Sequence, residues 1–326
     1  MVTVPVVVAA RNEEACIGDC LDALLAAVRY AEARLDVRFD VHVVLDDCTD
    51  RTGEIARTRD RVRTSASHGG KVEAQRRGVR EGDASDVHVF VDADVLLDED
   101  TLHALVVAMT HDRALRVAFP RKEPLVPVRT TRLARALFVY NRARGFSRAR
   151  TWFNGKAFAI RGWSIPDATE VRRRAAKLPG DRFYALDEPL RVDDVYLSRI
   201  VVLESGPASL REVEGGCVRF RAPETLRGMY RYYRRMRREL ERTDLLFPET
   251  REVHARWGTR EATEVRHAPR AERRAYRDFR AALALCRVAY VIERAYARHL
   301  APRARSPWPP IAETKHGLRD GMSTRG

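Results

Sequence analysis

The sequence lacks the features that would place the chain in a membrane or in a disulfide-bonded fold. Its 326 residues contain no apolar run of roughly 18 residues, so we predict no transmembrane segment. The chain starts directly with a strand-like pattern, without the basic segment and cleavage site of a secretory signal. Only five cysteines occur and none forms a C-x-x-C pair, which argues against a disulfide framework and against a zinc site. We therefore expect a cytoplasmic protein with reduced thiols.

Charge is distributed unevenly along the chain. The net charge is +14, but residues 1–120 carry 15 Lys and Arg against 22 Asp and Glu, a net charge of −7. Residues 121–326 carry 45 against 24, a net charge of +21. A nucleic-acid-binding module is usually basic over its whole binding surface. The acidic first third suits a metal site that faces anion-binding groups, and a basic nucleic-acid-binding protein is the alternative from a different class.

Strand-like apolar runs alternate with helical patterns in the first 120 residues. The runs end near Ala10, Leu45 and Asp92, and each is followed by a polar turn and a helix, the first of which we expect Asn12 to cap. This alternation predicts an α/β fold with a mostly parallel sheet flanked by helices. Ligands of such sheets bind beyond the carboxyl ends of the strands, where the acidic clusters fall.

The second half of the chain is looser in pattern and rich in arginine. Two basic amphipathic helices are predicted at about 225–241 and 271–299, and the tail from residue 302 is rich in proline and polar residues. We divide the chain into residues 1–220, a helical extension at 221–301 and a flexible tail at 302–326. The two helices could lie on anionic lipid, at the inner face of the membrane, or pack on the core with their arginines in water.

Asp92 and Asp94 lie one residue apart where a buried strand ends. Residues i and i+2 of a strand point to the same side, so the two carboxylates face one point. Carboxylate oxygens suit a hard cation such as Mg2+ or Mn2+. The alternative is a solvated acidic turn that caps the next helix and binds no metal.

Six segments, taken in chain order, resemble the family 2 glycosyltransferases, enzymes of the GT-A fold. The resemblance covers about residues 3–240, and its segments are VPVVVAARNEE, VVLDDCTDRT, HGGKVEAQRRG, FVDADV, FNGKAFAIRGW and VDDVYLSR. It implies a metal-dependent enzyme that moves a sugar from a nucleotide-diphosphate donor, such as a UDP- or GDP-sugar, to an acceptor hydroxyl with inversion. Residues 1–120 would bind the donor and residues 121–220 the acceptor, which could be a lipid phosphate, a glycan or a small metabolite.

The resemblance also assigns roles to particular residues. Asp194 would be the general base, with Asp193 as its nearest competitor, and Asp92 and Asp94 would hold the metal. Residues on the acceptor side would be Asn154, Gly155 and Arg161. The donor nucleotide and diphosphate would contact Ala10, Arg11, Glu13, Asp46, Lys71, Asp92, Ala93, Arg231, Arg234 and Arg235.

The chain departs from the family pattern in one motif. Many members carry Gln-x-x-Arg-Trp on a helix after the catalytic carboxylate, where this chain has MYRYYRRMRREL. The cluster of Arg231, Arg234 and Arg235 would replace it. Two other enzyme classes remain open: a retaining transferase similar to glucosyl-3-phosphoglycerate synthase, and a nucleotidyltransferase. The latter expects a glycine-rich first loop, whereas this chain has Ala9-Ala10-Arg11-Asn12.

Overall fold

An eight-stranded sheet forms the centre of the fold in the computed structural model, which describes residues 2–145, 151–181, 183–257, 269–299, 314–315 and 317–318. The strands are β1 (Val2–Ala10), β2 (Val37–Asp46), β3 (Val62–Ser67), β4 (Val87–Asp92), β5 (Val95–Leu97), β6 (Val117–Pro124), β7 (Ala157–Arg161) and β8 (Leu210–Phe220). Their order is β3-β2-β1-β4-β7-β6-β8-β5. The first four in this order are parallel, and β7 joins β4 in antiparallel orientation.

Helices cover both faces of the sheet. They are α1 (Ile17–Glu32), α2 (Thr52–Arg57), α3 (Lys71–Glu81), α4 (Thr101–His111), α5 (Arg132–Gly145), α6 (Ala168–Ala175), α7 (Asp193–Ser205), α8 (Leu226–Leu246), α9 (Glu252–Trp257) and α10 (Arg270–His299). The predicted α/β fold of the GT-A type, with a mostly parallel sheet, is confirmed. None of the described helices combines the length and the apolar character needed to cross a membrane.

Alternate residues of β1 pack into different cores, as the period of a strand requires. Val6 and Val8 join one apolar cluster with Leu21 and Leu24 of α1. Val7 faces the opposite side and joins a second cluster, which includes Val72 of α3. Because β1 is apolar on both faces, it lies in the middle of a three-layer arrangement.

The first turn after β1 differs from the predicted one. Asn12 does not cap a helix: α1 begins at Ile17, and Asn12 takes a left-handed backbone conformation with φ of 53°. Its side-chain Oδ1 accepts a hydrogen bond from the backbone N–H of Thr49 (2.8 Å). Asn12 therefore joins the loop after β1 to the loop after β2.

The basic helices at the C-terminal side pack against the rest of the fold. Met229 of α8 and Phe279 of α10 share an apolar cluster with Leu137 of α5. The ring of Phe279 also stacks on Tyr140 of α5, with centroids 3.6 Å apart. Most of the predicted flexible tail, residues 302–326, lies outside the described residues.

Candidate active site

Three parallel strands end at one edge of the sheet and bring the predicted acidic residues together. In the register of β1 with its neighbours, Ala9 lies opposite Asp92 of β4, and Ala10 lies opposite Leu45 of β2. Asp46 and Asp92 therefore emerge on either side of the end of β1. The predicted acidic residues thus lie at the carboxyl ends of the parallel strands, where such sheets bind ligands, and we call this region the cleft.

Asp46 anchors the glycine turn that precedes α3. It is 2% exposed, and it accepts a hydrogen bond from the Gly70 N–H (2.9 Å). Its second oxygen lies 3.4 Å from the guanidinium of Arg11, a side chain that is more than half exposed. Burial raises the pKa of Asp46. Gly70 has a φ of 98°, which favours glycine at this position, and the turn places Lys71 at the start of α3 beside the strand ends.

A chain of ion pairs links the D-x-D motif to the Asp-Asp motif. The ammonium of Lys71 lies 2.7 Å from Asp92 and 3.0 Å from Asp193. The ammonium of Lys156 lies 3.2 Å from Asp92 and 3.1 Å from Asp94. The order Asp94–Lys156–Asp92–Lys71–Asp193 thus connects residues that are separated by about a hundred positions in sequence into one centre.

The lysines and aspartates of these ion pairs stabilise one another's charged forms. Burial disfavours the charged form of Lys71, but Asp193 and Asp92 outweigh it and raise the pKa of the ammonium. Lys156 behaves in the same way, with Asp94 and Asp92 as the partners that raise its pKa. Burial opposes ionisation of Asp92, but the two lysines hold its pKa below the usual range. The cleft therefore contains fixed charges of both signs.

Asp194 lies beside this series of ion pairs. It accepts a hydrogen bond from the Gly155 N–H (3.2 Å). Burial, followed by repulsion from Asp193, raises the pKa of Asp194 to about 6. A methyl group at Gly155 would lie 2.9 Å from the carboxylate carbon of Asp194, so only glycine permits this approach. A carboxylate with a pKa near neutrality is suited to general base catalysis.

Asp193 has a second buried partner that the sequence analysis missed. The amide of Gln75 on α3 donates to its second oxygen (2.6 Å). Lys71 contacts the other oxygen, so each oxygen of the buried Asp193 carboxylate already has a protein partner. This arrangement favours a positioning role for Asp193 and leaves Asp194 as the better candidate for the base.

Two of the predicted acceptor-side residues have structural contacts. Asn154 is buried and donates through its side chain to the carbonyl of Pro120 on β6 (2.7 Å). Arg161 lies at the opposite end of β7, where it pairs in register with Val87 at the start of β4. Its guanidinium donates to the carbonyl of Met109 (2.7 Å). Because β7 runs antiparallel to β4, its start lies near Asp92 and its end lies far away, so the structure corrects the placement of Arg161.

Two of the predicted arginines of α8 have contacts within the helical extension. Arg234 binds Glu293 of α10, with atoms 2.6 Å apart. The guanidinium of Arg235 lies over the ring of Tyr232, 5.7 Å from its centroid. Arg231 is half-buried on the same helix. The expectation that this cluster contacts a diphosphate finds no support in the described contacts of Arg234, because its charge is already neutralised within the extension.

Glu13 follows β1 and meets a residue from the far end of the chain. Its carboxylate lies 2.7 Å from the ammonium of Lys315, which also donates to the carbonyls of Arg11 (2.6 Å) and Asn12 (2.7 Å). Burial, and then repulsion from Asp94, raise the pKa of Glu13 to about 7 despite Lys315. The tail was predicted to be flexible, and nothing in its composition indicated this contact.

Two further predicted donor residues, Ala10 and Ala93, have buried side chains. Ala10 and Ala93 are 1% and 4% exposed, so their side chains belong to the core. Lys156 is the functional candidate that sequence reasoning missed most clearly. It directly follows the Asn154-Gly155 pair, and a basic residue there is the one signal that could have drawn attention to it.

The carboxylates of the D-x-D motif are chemically suited to a hard divalent cation. Within the described residues, however, no group of three or more His, Cys, Asp or Glu side chains forms a complete metal site. The ammonium of Lys156 contacts the carboxylates of both Asp92 and Asp94, which are the groups that a cation would also bind. The two carboxylates fit a cation that takes its other ligands from water and substrate and that replaces the contact with Lys156.

A mostly parallel sheet with this cluster of acids at the carboxyl ends of its first strands is the arrangement expected of a GT-A glycosyltransferase. The model of the glycosyl transferase family 2 matches residues 6–166. The match confirms the resemblance that the motifs indicated and identifies the chain as a glycosyltransferase. No match was found among curated proteins.

Solved structures resemble the chain over most of its length. A mannosyltransferase from Pyrobaculum calidifontis, PcManGT in complex with GDP-Man and Mn2+, has 17% identity and a TM-score of 0.50, and the alignment covers 90% of this chain and 84% of that one. Glucosyl-3-phosphoglycerate synthase from Mycobacterium tuberculosis, in complex with UDP, has 18% identity and a TM-score of 0.44 over 76% and 80%. At 17% identity, the similarity to the mannosyltransferase supports the fold and no finer property.

Proposed function

We propose that the chain transfers a sugar from a nucleotide-diphosphate donor to an acceptor hydroxyl with inversion at the anomeric carbon. The observation that carries this proposal is the ion-pair chain, in which Lys71 joins Asp92 of the D-x-D motif to Asp193 of the Asp-Asp motif. Residues that the family motifs assign to donor binding and to the catalytic Asp-Asp motif therefore lie close together. GDP-Man and UDP in the two similar structures support a nucleotide-diphosphate donor.

The donor would lie across the ends of β1, β2 and β4. Its base would lie near Asp46 and Arg11, and its diphosphate near Lys71 and Lys156. The two ammonium groups are suited to this role because they are held at the strand ends and are fully charged. Asp92 and Asp94 would hold Mg2+ or Mn2+, which would supply charge neutralisation for the departing diphosphate.

Asp194 would act as the base in a single displacement. Its carboxylate takes the proton of the acceptor hydroxyl while the hydroxyl oxygen forms a bond to the anomeric carbon. The bond from that carbon to the diphosphate oxygen breaks, and the nucleoside diphosphate leaves. The N–H of Gly155 fixes one carboxylate oxygen, so the other is the one presented to the acceptor.

A thermal-shift screen of UDP-, GDP- and dTDP-sugars with Mg2+ or Mn2+ tests the donor assignment, because a ligand that binds only the folded state raises the Tm. We expect one donor to raise the Tm of the wild type in the presence of the cation, and to raise it less in Asp94→Ala. Loss of donor sugar with release of nucleoside diphosphate would then confirm transfer or hydrolysis. The absence of any stabilising nucleotide sugar would contradict the proposal.

The anomeric configuration of the product decides between inversion and retention. We expect NMR of the anomeric proton to report the configuration opposite to that of the donor. A product with the donor's configuration would assign the chain to the retaining transferases and would remove Asp194 from the role of base.

A further inference from the structure

Helix α10 has a second apolar face, opposite to the one that packs on the fold. Phe279, Cys286 and Tyr290 are buried against α5, α8 and neighbouring segments. On the other side of the same helix, five large apolar side chains are between 58% and 63% exposed: Leu285, Val288, Val291, Ile292 and Tyr296. A contiguous patch of large exposed apolar side chains is uncommon on a protein surface that has no partner. This exposed face therefore indicates a partner.

The charges around this apolar face are positive. Arg273, Arg274, Arg277, Arg280 and Arg287 are exposed on α10. The helix has three acidic residues, and two of them are already paired: Asp278 with Arg132 (3.0 Å) and Glu293 with Arg234 (2.6 Å). These five arginines have no ion-pair partner among the residues that the structure describes. An exposed apolar stripe on a helix with such arginines has the composition of a helix that lies at the surface of an anionic bilayer.

A second copy of the chain fits this face less well. Two α10 helices that met in parallel through their apolar stripes would bring the same arginines close to one another, which costs energy at ordinary ionic strength. A bilayer with anionic headgroups instead neutralises the arginines while its acyl region covers the apolar side chains. Charge complementarity thus favours lipid over self-association.

We propose that the exposed face of α10, made by Leu285, Val288, Val291, Ile292 and Tyr296, binds the surface of an anionic membrane. The buried side of the same helical turns of α10 contacts the acceptor half of the fold, residues 121–220. Tyr290 packs edge-on against Phe183 (5.4 Å between centroids) in the segment that leads to α7 and Asp194. Membrane binding through α10 would hold the Asp194 side of the cleft near the lipid surface. The proposal does not depend on the donor assignment.

Vesicle sedimentation of the full chain tests this surface without any nucleotide or activity. We expect the wild type to sediment with vesicles of phosphatidylcholine and phosphatidylglycerol, and to remain in solution with phosphatidylcholine alone. Val288→Asp/Ile292→Asp should lower the partition into anionic vesicles by at least about tenfold, because it places two charges in the apolar stripe. Val126→Asp is the matched control, since Val126 is 56% exposed on a different surface, and it should bind as the wild type does.

Three results would overturn the proposal. The first is wild-type protein that stays in solution with anionic vesicles, and the second is a V288D/I292D variant that binds them as tightly as the wild type. The third is a wild type that light scattering shows to be a dimer, with V288D/I292D a monomer, which would assign the face to a second copy. Unchanged circular dichroism of V288D/I292D would establish that the variant is folded.

Discussion

The cleft at the strand ends and the arginine cluster of α8 were both expected to contact the same diphosphate. The two regions differ in the carboxylates that hold their positive charges. In the cleft, Lys71 and Lys156 are held by aspartates at the end of β4, in the turn after it and at the start of α7, which fixes their positions. On α8, Arg234 is held by Glu293 of α10. A positive charge alone does not identify an anion site. The position of a basic side chain depends on which carboxylate it contacts and on the element of the fold that carries that carboxylate.

The largest expected effect comes from the base. We expect Asp194→Asn to lower kcat by roughly 10²–10⁴-fold and to leave the Kd of the donor unchanged, because the amide cannot accept the acceptor's proton. Asp187→Asn is the matched control, since Asp187 is an exposed carboxylate in the segment before α7, and it should keep wild-type turnover. Single-turnover kinetics with titration calorimetry would measure both quantities. Wild-type kcat in Asp194→Asn would place the base elsewhere.

The second effect separates the two regions directly. Lys71→Met removes one ammonium from the cleft and leaves the buried Asp193 with Gln75 alone, so we expect the Kd of the nucleoside diphosphate to rise at least about tenfold. Lys177→Met provides the control, because Lys177 is exposed on the surface. Calorimetric titration with the nucleoside diphosphate is the measurement. An unchanged Kd in Lys71→Met would remove the lysine from the donor site.

The third effect concerns pH. Because burial and Asp193 raise the pKa of Asp194 to about 6, its carboxylate is ionised above that pH and protonated below it. A base must be ionised, so we expect kcat to be constant above about pH 7 and to fall roughly tenfold per pH unit well below 6. Stopped-time assays across this range would show it. A profile that stays flat down to pH 4.5 would be inconsistent with Asp194 as the base.

The smallest effect is expected in the arginine cluster. Arg234→Gln should change the Kd of the nucleoside diphosphate by less than about twofold and should lower stability by only about 1 kcal/mol, as for a partly exposed ion pair. The same calorimetric titration and a chemical denaturation curve would measure these two quantities. A rise in Kd equal to that of Lys71→Met would make the α8 cluster part of the donor site after all.

Much of the cleft could be predicted because parallel strands deliver their ends to one edge. Asp46 and Asp92 follow apolar runs, and that pattern alone fixes which edge they reach. Lys156 and Gln75 could not be predicted in this way. Their roles depend on the contact of α3 with α7 and on the turn before β7, which bring together residues that are distant in sequence.

The misplaced residues have equally physical reasons. Arg161 is close in sequence to Gly155, but an extended strand carries it to the far end of the sheet within six residues. Asn12 has the side chain of a helix cap, yet its amide binds the loop after β2 instead. Lys315 lies in a tail of polar composition, and composition does not reveal a three-point contact with the loop at Glu13.

A crystal structure of the chain with a nucleoside diphosphate and Mn2+ tests the central claim most directly. The account predicts the diphosphate at the ends of β1, β2 and β4, in contact with Lys71, with the cation on Asp94 and with Lys156 moved off that carboxylate. A nucleotide bound at any other surface, with Lys156 still on Asp92 and Asp94, would contradict it.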